Sequence, residues 1–567
     1  MDQDRRALTV AVIGDAGRGT TSGLRLDRRA LIALAALPVA FFAALFAWPL
    51  VAIAVRALSW SALRAVLHDH DLWTIAWFTL WQAVVSAAVT LVIGLPGAFL
   101  VARFEFPGRR IVTALVTVPF VLPTVAVGAA FLALLPRSWH GTVPAMLLGH
   151  VWVNLAVVVR TVGVMWGQLD RRYVAAARTL GASPARAFAT VTLPLLRPAL
   201  GAAAAVVGLF SFTSFGIAKL LGGPRHPTIE VEIARRAVQA LDLRGAAALA
   251  LIQLVLIGSL LVWWAHAGQR RSTIRTSTVV SRERPGTRAA GLAVGAGALV
   301  LASVSAVPLL WLAVRSFTTV HGWAAWRSLA RPPGRGALAI DTAAAIRRSL
   351  MIATTATIVA TIVGALASIV IAHGRGRVGA TLDAGLLLPL GTSAVTIGFG
   401  LLLTWRRLPV DVGSILVPLA HAVVAVPFVV RTTVPVLRGI DPRMREAAQT
   451  LGARPSAVLR TIDAPLARRA LAAGAAFAFA VSLGEFGATT FLARTGSPTL
   501  PLAVSLALGR PGALNLGRAD ALAVSLAALA IAAVVVAELA GEPLRGARSP
   551  GRSRGRSGRL LTPARPT

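Results

Sequence analysis

Long apolar stretches recur along the whole sequence and restrict it to a membrane-spanning fold. Twelve of them have roughly 20 residues or more with few charges, which is enough for a helix to cross the hydrocarbon core of a bilayer. Only 14% of the residues are charged, against about 25% in a typical soluble protein. The predicted fold class is therefore an all-α integral membrane protein with twelve transmembrane helices. The predicted spans are 31–55, 78–102, 111–135, 143–165, 199–221, 246–265, 289–315, 349–372, 382–404, 413–437, 471–493 and 519–540.

The second half of the sequence repeats the first at a constant offset of 271 residues. The best match is a polar segment in which Gly181 and Pro184 correspond to Gly452 and Pro455. An ungapped match over such a length indicates an internal duplication, so we expect two homologous six-helix halves. Further matched pairs are His150 and His421, Arg160 and Arg431, Phe215 and Phe486, and Pro227 and Pro498.

The formal net charge of +35 comes mainly from arginines between the apolar stretches and in the two tails. Basic loops mark the cytoplasmic side of a membrane protein, so the charge indicates a lipid bilayer as partner rather than nucleic acid. The basic C-terminal tail is a candidate for contact with anionic lipid. Because the chain has no cysteine, it cannot form disulfides, a cysteine-ligated zinc site or a cysteine nucleophile.

The basic leader places the N-terminus in the cytoplasm, and twelve crossings return the C-terminus to the same side. We therefore expect a multi-pass plasma-membrane protein with both termini cytoplasmic. The predicted divisions are a basic N-terminal tail (1–30), a first transmembrane domain (31–265), a cytoplasmic linker (266–288), a second transmembrane domain (289–540) and a basic C-terminal tail (541–567).

The repeated polar segment lies between the fourth and fifth spans of each half, on the predicted cytoplasmic side. A glycine is expected to end a first helix, a proline to begin a second short helix, and another proline to end that helix before the next span. Small alanines would leave a surface on which another protein packs closely. The glycine and two prolines are Gly181, Pro184 and Pro194 in the first loop and Gly452, Pro455 and Pro465 in the second.

These loops resemble the "EAA" loop of ABC-transporter permeases of the binding-protein-dependent importer type, and the resemblance covers nearly the whole chain. The second loop matches the motif at Glu446, Ala447, Ala448, Gly452, Ile462 and Pro465. The first loop has Ala175 in place of the glutamate and matches at Ala176, Ala177, Gly181, Leu193 and Pro194. The resemblance implies a type I ABC importer permease fold, in which each loop is a coupling helix that sits in a groove of one subunit of a cytoplasmic ATPase dimer.

Two permease halves fused in one chain resemble the thiamine permeases and the ferric-iron permeases. The segments 211–216, 221–230 and 482–487 are similar to both families, and the stretch Leu221-Gly-Gly-Pro to Thr-Ile-Glu230 favours thiamine slightly. The resemblance implies a permease subunit that imports a small solute delivered by an external solute-binding protein. Thiamine and ferric iron both remain open as the solute.

The chain is expected to bind no cofactor and to have no catalytic residues, so that a partner subunit uses the ATP. The segment Gly14–Thr20 is similar to a phosphate-binding loop, but it lacks the lysine that contacts the terminal phosphates. The alternative function is a twelve-span secondary, ion-coupled transporter. That class would need several acidic residues within its spans, and Glu485 alone stands out.

Residues in the fifth and eleventh spans are candidates for the translocation path. Glu485 could attract a cationic solute, and an aromatic ring could stack on it; the competing interpretation of Glu485 is a buried carboxylate paired to a neighbour. The path candidates are Ser211, Ser214, Phe215, Ser482, Glu485 and Phe486.

Two other sets of polar residues are candidate sites. His150 and His421 begin the fourth and tenth predicted spans, and we interpret them as structural residues near the membrane interface, with no metal site. The outer loop 222–245, with Glu230, Glu232 and Asp242, either docks the solute-binding protein or is a solvated face, and the second interpretation is favoured.

Overall fold

The computed structural model describes residues 28–58, 68–269, 282–319, 322–330, 341–374, 377–405, 412–493 and 498–541. Within these ranges the regular elements are helices, with one isolated backbone bridge between Phe104 and Glu283. The prediction of an all-α protein is confirmed for this part of the chain. Nearly all of both predicted tails, and residues 270–281 of the predicted linker, lie outside the described residues.

Each half begins with a long apolar helix and continues through a series of shorter and longer ones. The helices of the first half are α1 (Arg28–Phe42), α2 (Trp48–Ala57), α3 (His70–Arg103), α4 (Arg109–Val121), α5 (Thr124–Leu134), α6 (Val143–Gln168), α7 (Arg171–Thr179), α8 (Pro184–Ala187), α9 (Leu193–Phe212), α10 (Ile229–Ala234) and α11 (Leu243–Gln269). Those of the second half are α12 (Arg288–Thr318), α13 (Gly322–Leu329), α14 (Thr342–His373), α15 (Arg377–Gly391), α16 (Ala394–Trp405), α17 (Val412–Gly439), α18 (Pro442–Thr450), α19 (Pro455–Val458), α20 (Ala464–Gly484), α21 (Gly487–Leu492), α22 (Leu500–Leu508) and α23 (Ala513–Gly541).

The third span of each half is broken. Among the described residues, ten helices are long and apolar enough to cross a membrane, and the pair α4–α5, bent by 107°, raises this number to eleven. The bend lies at Pro123, which disfavours a helical conformation at the preceding Leu122 (ψ 144°). The predicted span 382–404 is likewise divided between α15 and the short apolar helix α16. The predicted number of twelve continuous spans is therefore not confirmed.

The fifth predicted span of each half is also shorter than expected. The spans were predicted to continue to residues 221 and 493, but α9 ends at Phe212 and α20 at Gly484. Glu485 itself has an extended backbone, and its carboxylate accepts hydrogen bonds from the amides of Ala488 and Thr489. Hydropathy does not register such a break, because the broken segment is as apolar as the helix before it.

The broken segments pack directly on one another at the centre of the molecule. A Cβ built on Gly484 of the second half would lie 3.1 Å from Cα of Pro123 in the first half. Within the second half, a Cβ on Gly487 would lie 3.0 Å from Val395, at the start of α16. Non-helical backbone at membrane depth is tolerated where protein buries it, and glycine allows this close approach.

The two halves also exchange their first helices. In the first half, α1 packs against α14 and α2 packs against α16 of the second half. Conversely, α12 of the second half packs against α4 and α5 of the first, and the indole nitrogen of Trp311 donates to the carbonyl of Ala133 at 2.9 Å. Residues from both halves belong to one apolar core. The halves therefore form one intertwined structure rather than two domains in edge contact.

Glycine at the α16–α21 crossing is expected to be essential for stability. A Cβ on Gly398 would lie 2.5 Å from Cα of Ala488, a backbone atom that cannot rotate away. We predict that Gly398→Ala lowers stability by about 1–3 kcal/mol, the usual cost of overpacking, as a lower thermal midpoint of the purified protein. Gly295→Ala, in an exposed part of α12 with nothing within 4 Å, is the control and should be neutral or stabilising. Equal midpoints for the two variants would contradict this packing.

Candidate functional site: the repeated loops and the junction of the two halves

The first repeated loop has the helix, turn and helix that its sequence predicts. Asp170 caps α7 by accepting a hydrogen bond from the amide of Arg172 at 2.9 Å. Gly181 then reverses the chain with a φ of +86°, a left-handed conformation that favours glycine. Ser183 caps α8, which begins at Pro184. The end of α7 and the start of α8 are thus set by local signals in the sequence of the loop.

The second repeated loop has the same geometry at the same offset. Asp441 accepts from the amide of Arg443 at 3.0 Å, and Gly452 has a φ of +80°. The short helix α19 begins at Pro455. Helices α18 and α19 begin and end 271 residues after α7 and α8. The duplication therefore extends from the sequence to the backbone conformation.

The expected end of the short helix at the last proline of each loop is wrong. The chain is helical without interruption from Pro184 to Phe212 and from Pro455 to Gly484. A π-helical turn precedes each proline, at Phe188–Thr192 and Leu459–Asp463. A π-turn changes the hydrogen-bond pattern locally, which accommodates a proline that has no amide proton to donate. Pro194 and Pro465 thus lie in the first turn of α9 and α20.

Both loops expose large apolar side chains at equivalent positions. Leu180 and Leu451 are each 88% exposed, immediately before the turn glycines. Seven residues earlier, on the helices that end just before these leucines, Tyr173 and Met444 are each about half exposed. The motif alanines lie on the same helices, and Ala176 and Ala447 are exposed. Paired apolar residues outside the membrane-crossing helices are typical of a surface that another protein covers.

The second loop is fixed to its half by a buried cluster of charges. The guanidinium of Arg445 donates to the carboxylate of Asp463 at 2.8 Å and to the carbonyl of Leu437 at 2.8 Å. Nε2 of His373, at the end of α14, lies 3.1 Å from the other carboxylate oxygen of Asp463. The cluster ties α18 to α14 and to the start of α20, so that α18 and these spans are held together.

The first loop lacks this cluster and is held in a different way. The equivalent positions are Ala102, Val174 and Thr192. Instead, Arg171 at the start of α7 forms an ion pair with Glu283, and Glu283 exchanges backbone hydrogen bonds with Arg103 and Glu105. This places the loops after α3 and α6 and the end of the linker on one face.

The path candidates of the two halves meet at one pair of aromatic rings. Phe215 and Phe486 occupy equivalent positions, and their rings stack with centroids 5.0 Å apart and an interplanar angle of 26°. Both rings are buried. The ammonium of Lys219 lies over both, 5.3 Å from the centroid of Phe215 and 4.9 Å from that of Phe486. Sequence reasoning missed Lys219, although its being the single lysine of the chain is a signal.

Glu485 lies next to this ring pair and is fully engaged. It is 8% exposed, and Oε2 lies 3.3 Å from Nε2 of His421. The other imidazole nitrogen of His421 lies 2.9 Å from the hydroxyl of Ser482. Of the two interpretations of Glu485, this geometry favours the buried, paired carboxylate.

The first half has a different polar arrangement at the equivalent positions. Ser214 replaces the carboxylate, and its hydroxyl has no hydrogen-bond partner among the described residues. His150 lies 3.3 Å from the hydroxyl of Ser86, and Ser211 accepts from Asn154 at 3.4 Å. His150 and His421, predicted as structural residues near the membrane interface, are each 1% exposed inside α6 and α17.

Glu230 and Glu232 of the outer loop are buried, contrary to the prediction of a solvated face, whereas the side chain of Asp242 is 44% exposed. Glu230 is bound by the hydroxyl of Ser393 at 2.5 Å and by Gln253. Glu232 accepts from Arg235 and Arg236, each at 2.7 Å. Burial raises the pKa of Glu232, but these hydrogen bonds and charges outweigh it, so that its pKa lies below the usual value. Within the described residues, no three His, Asp or Glu side chains are grouped to hold a metal ion.

Removing one charge from the cluster of the second loop should weaken the fold. We predict that Asp463→Asn, which leaves Arg445 buried without its anion, lowers stability by about 3 kcal/mol or more, measured as the thermal midpoint of the purified protein. Thr192→Val changes the equivalent position of the first half and should have a small effect. A similar midpoint for Asp463→Asn and the natural chain would show that the cluster does not hold the loop.

Comparison with known proteins relates the chain to one kind of membrane protein. Residues 94–274 match the family described as "Binding-protein-dependent transport system inner membrane component". The thiamine transport system permease protein of Brucella abortus is 26% identical over 89% of this chain and 94% of its own length, and that of Salmonella typhimurium is 26% identical over 78% and 84%. The sulfate transport system permease protein of Salmonella typhimurium is 31% identical over 36% of this chain and 79% of its own length.

Proposed function

The chain belongs to the family of binding-protein-dependent transport system inner membrane components, and on that premise we propose how it acts as the permease of an ATP-driven importer. A binding protein delivers a small solute from outside, and the two halves form the path between them. The chain carries out no hydrolysis itself; a dimer of ATPase subunits on the cytoplasmic side uses the ATP. Family membership decides against the ion-coupled transporter as the alternative.

Each half, 31–265 and 289–540, is proposed to cross the membrane six times, with both termini in the cytoplasm. In this number, the pair α4–α5 counts as one broken third span in the first half, and the pair α15–α16 counts as one in the second half. Because α1–α2 and α12 each pack against the opposite half, movement of one half is coupled to movement of the other. Rocking of one half against the other would expose the path first to one side and then to the other.

The matched exposed tips of the two loops carry the coupling proposal. Leu180 and Leu451 are equally exposed at equivalent positions, on loops with the same backbone. Two loops that expose a leucine in the same way fit a partner that is itself two-fold symmetric, with one loop bound to each of its subunits. The motif residues Ala176, Ala177, Gly181 and Pro194, and Glu446, Ala447, Ala448, Gly452 and Pro465, then shape the two docking elements.

The two docking elements are proposed to transmit force differently. The second has Glu446 at the motif position, and the buried cluster of Arg445, Asp463 and His373 links it to α14 and α20. The first has Ala175 at the motif position and an ion pair from Arg171 to the linker residue Glu283. Displacement of the second loop by its ATPase subunit would therefore move the attached spans more directly than displacement of the first loop.

Thiamine is the solute that we propose for a first uptake assay. Two relatives named as thiamine transport permeases align with most of the chain, and the Gly-Gly-Pro to Thr-Ile-Glu stretch ending at Glu230 favours the same class. The sulfate permease aligns with 36% of the chain. Ferric iron, the other solute open from the sequence, is the second compound for the assay.

Placing a negative charge at the tip of both loops should prevent the ATPase from docking. We predict that Leu180→Asp together with Leu451→Asp weakens ATPase binding by about 2 kcal/mol or more, the scale of an interface hot spot, so that ATP-driven uptake of radiolabelled thiamine falls and the ATPase no longer co-purifies. Leu241→Asp is the control, because Leu241 is 76% exposed but lies at the end of α11 opposite the linker.

The two readouts separate the coupling proposal from the solute proposal. Co-purification of the ATPase tests docking even when thiamine is not carried. Undiminished co-purification with the doubly substituted chain would contradict docking by these loops. Intact docking without thiamine uptake would overturn only the choice of thiamine.

A further inference from the structure

An apolar groove lies between α3 of the first half and α12 of the second half. Residues of α3 and its end, within 93–104, form one wall, and residues of α12, within 290–304, form the other. The buried side chain of Leu155, from α6, also lines it. Its volume is about 530 Å³, which is within the range of roughly 300–1,000 Å³ that is typical of ligand sites. We call it the α3–α12 groove.

Two glycines on the facing helices leave this space open. Gly97 of α3 and Gly297 of α12 both line the groove. A Cβ on Gly297 would lie 3.7 Å from the side chain of Leu100, an ordinary contact, whereas a Cβ on Gly97 would lie 3.2 Å from Leu301. A side chain at Gly297 therefore has room, and it would take up part of the groove.

The α3–α12 groove has the length of one leaflet of a bilayer and opens to the lipid. Along α3 its lining runs from Ile93 to Phe104, about 16 Å at 1.5 Å per residue. Half of the hydrocarbon core is about 15 Å thick. The lining residues are apolar, and three of them, Ile93, Phe99 and Val300, are between 39% and 62% exposed. This length and surface fit the acyl chain of a phospholipid.

Arginines surround one end of the groove. Phe104, which lines that end, forms a backbone bridge with Glu283, in the segment that leads into α12. The side chain of Arg109 donates to the carbonyl of Val101, in the last turn of α3. Seven arginines and two glutamates lie in the segments that meet here: Arg103, Arg109, Arg110, Arg171, Arg282, Arg284 and Arg288, with Glu105 and Glu283.

The protein leaves most of this positive charge without a counter-charge. The two glutamates are each paired already, with Arg282 at 4.0 Å and with Arg171. In the part of the chain that the structure describes, three exposed arginines form no ion pair: Arg110, Arg284 and Arg288. Like charges held together at a membrane surface attract anions. The groove thus combines an apolar channel of leaflet length with a basic end.

We propose that the α3–α12 groove binds one anionic phospholipid, with an acyl chain along the groove and the phosphate among the arginines at its basic end. Guanidinium groups bind phosphate through charge-assisted hydrogen bonds, and basic pockets between membrane helices bind anionic head groups. Because α3 belongs to the first half and α12 to the second, the lipid contacts both halves where they meet. The site lies apart from the solute path, so it does not depend on which solute is carried.

Photoreactive lipids test this site in the intact protein. The full-length chain would be placed in phosphatidylcholine vesicles that contain a small fraction of labelled phosphatidylglycerol or labelled phosphatidylcholine, both with the same diazirine-bearing acyl chain. After irradiation, mass spectrometry would quantify the labelled peptides from 93–104 and 290–304. The lipid-facing side of α14 is the reference for lipid that only surrounds the protein, because Met351, Ile358 and Ile362 are each more than half exposed.

The proposal predicts that phosphatidylglycerol labels the groove about tenfold more than phosphatidylcholine does, relative to the reference, as attraction by two or more arginines at a membrane surface provides. Three arginine-to-glutamine substitutions at the basic end should remove this preference, and three in the C-terminal tail should not. The first set is Arg282→Gln, Arg284→Gln and Arg288→Gln, and the control set is Arg552→Gln, Arg554→Gln and Arg556→Gln. Equal labelling by the two lipids, or a preference that survives the first set, would overturn the proposal.

Filling the groove tests the place of the acyl chain separately. Gly297→Leu should lower the labelling of 93–104 by phosphatidylglycerol several-fold, because its side chain takes up space in the groove. Gly295→Leu adds the same side chain about 200° around the helix, where nothing lies within 4 Å, and should leave that labelling unchanged. Undiminished labelling after Gly297→Leu would show that the acyl chain does not lie in the groove. The arginine substitutions decide the proposal even if Gly297→Leu fails to fold, because those arginines are exposed.

Discussion

Burial of irregular backbone within the membrane is the constraint on which the rest of this structure depends. A peptide group in lipid must find its hydrogen bond inside the protein, so a span can be broken only where other protein surrounds the break. Breaks occur in the third and fifth spans of both halves, and they pack on one another at Pro123 and Gly484 and at Val395 and Gly487. At the centre of the molecule the chain therefore leaves helical geometry where other protein surrounds it, and the candidate path lies there.

The duplication explains the symmetry of the structure, and the substitutions since then explain its asymmetry. Both loops keep the glycine turn and the exposed leucine, which are features to which a symmetric partner would bind. The interior has diverged: Glu485 and His421 form a pair in the second half where the first half has Ser214 and His150, and the second half has Thr490 at the position equivalent to Lys219. The exposed tips of the two loops thus remain alike while the buried residues at the centre differ.

Much of this could be predicted from sequence because the signals are local. Apolar length indicates a span, and a glycine followed by a proline indicates the turn of each loop, so the fold class and both loops were predictable. The breaks were not, since Glu485 ends a helix through hydrogen bonds to Ala488 and Thr489 that hydropathy does not report. The pairing of Glu485 with His421, and the burial of Glu230 against Ser393, join residues far apart in sequence. Those contacts depend on how the halves pack.

The central claim is that both repeated loops dock the same kind of ATPase, one subunit each. The chain has no cysteine of its own, so Leu180→Cys and Leu451→Cys can each provide a single attachment point for a cleavable cross-linker in membranes that contain the assembled transporter. We expect each position, taken alone, to capture an ATPase subunit, and the two together to capture two subunits per chain. Capture at only one position, or at neither, would contradict the account.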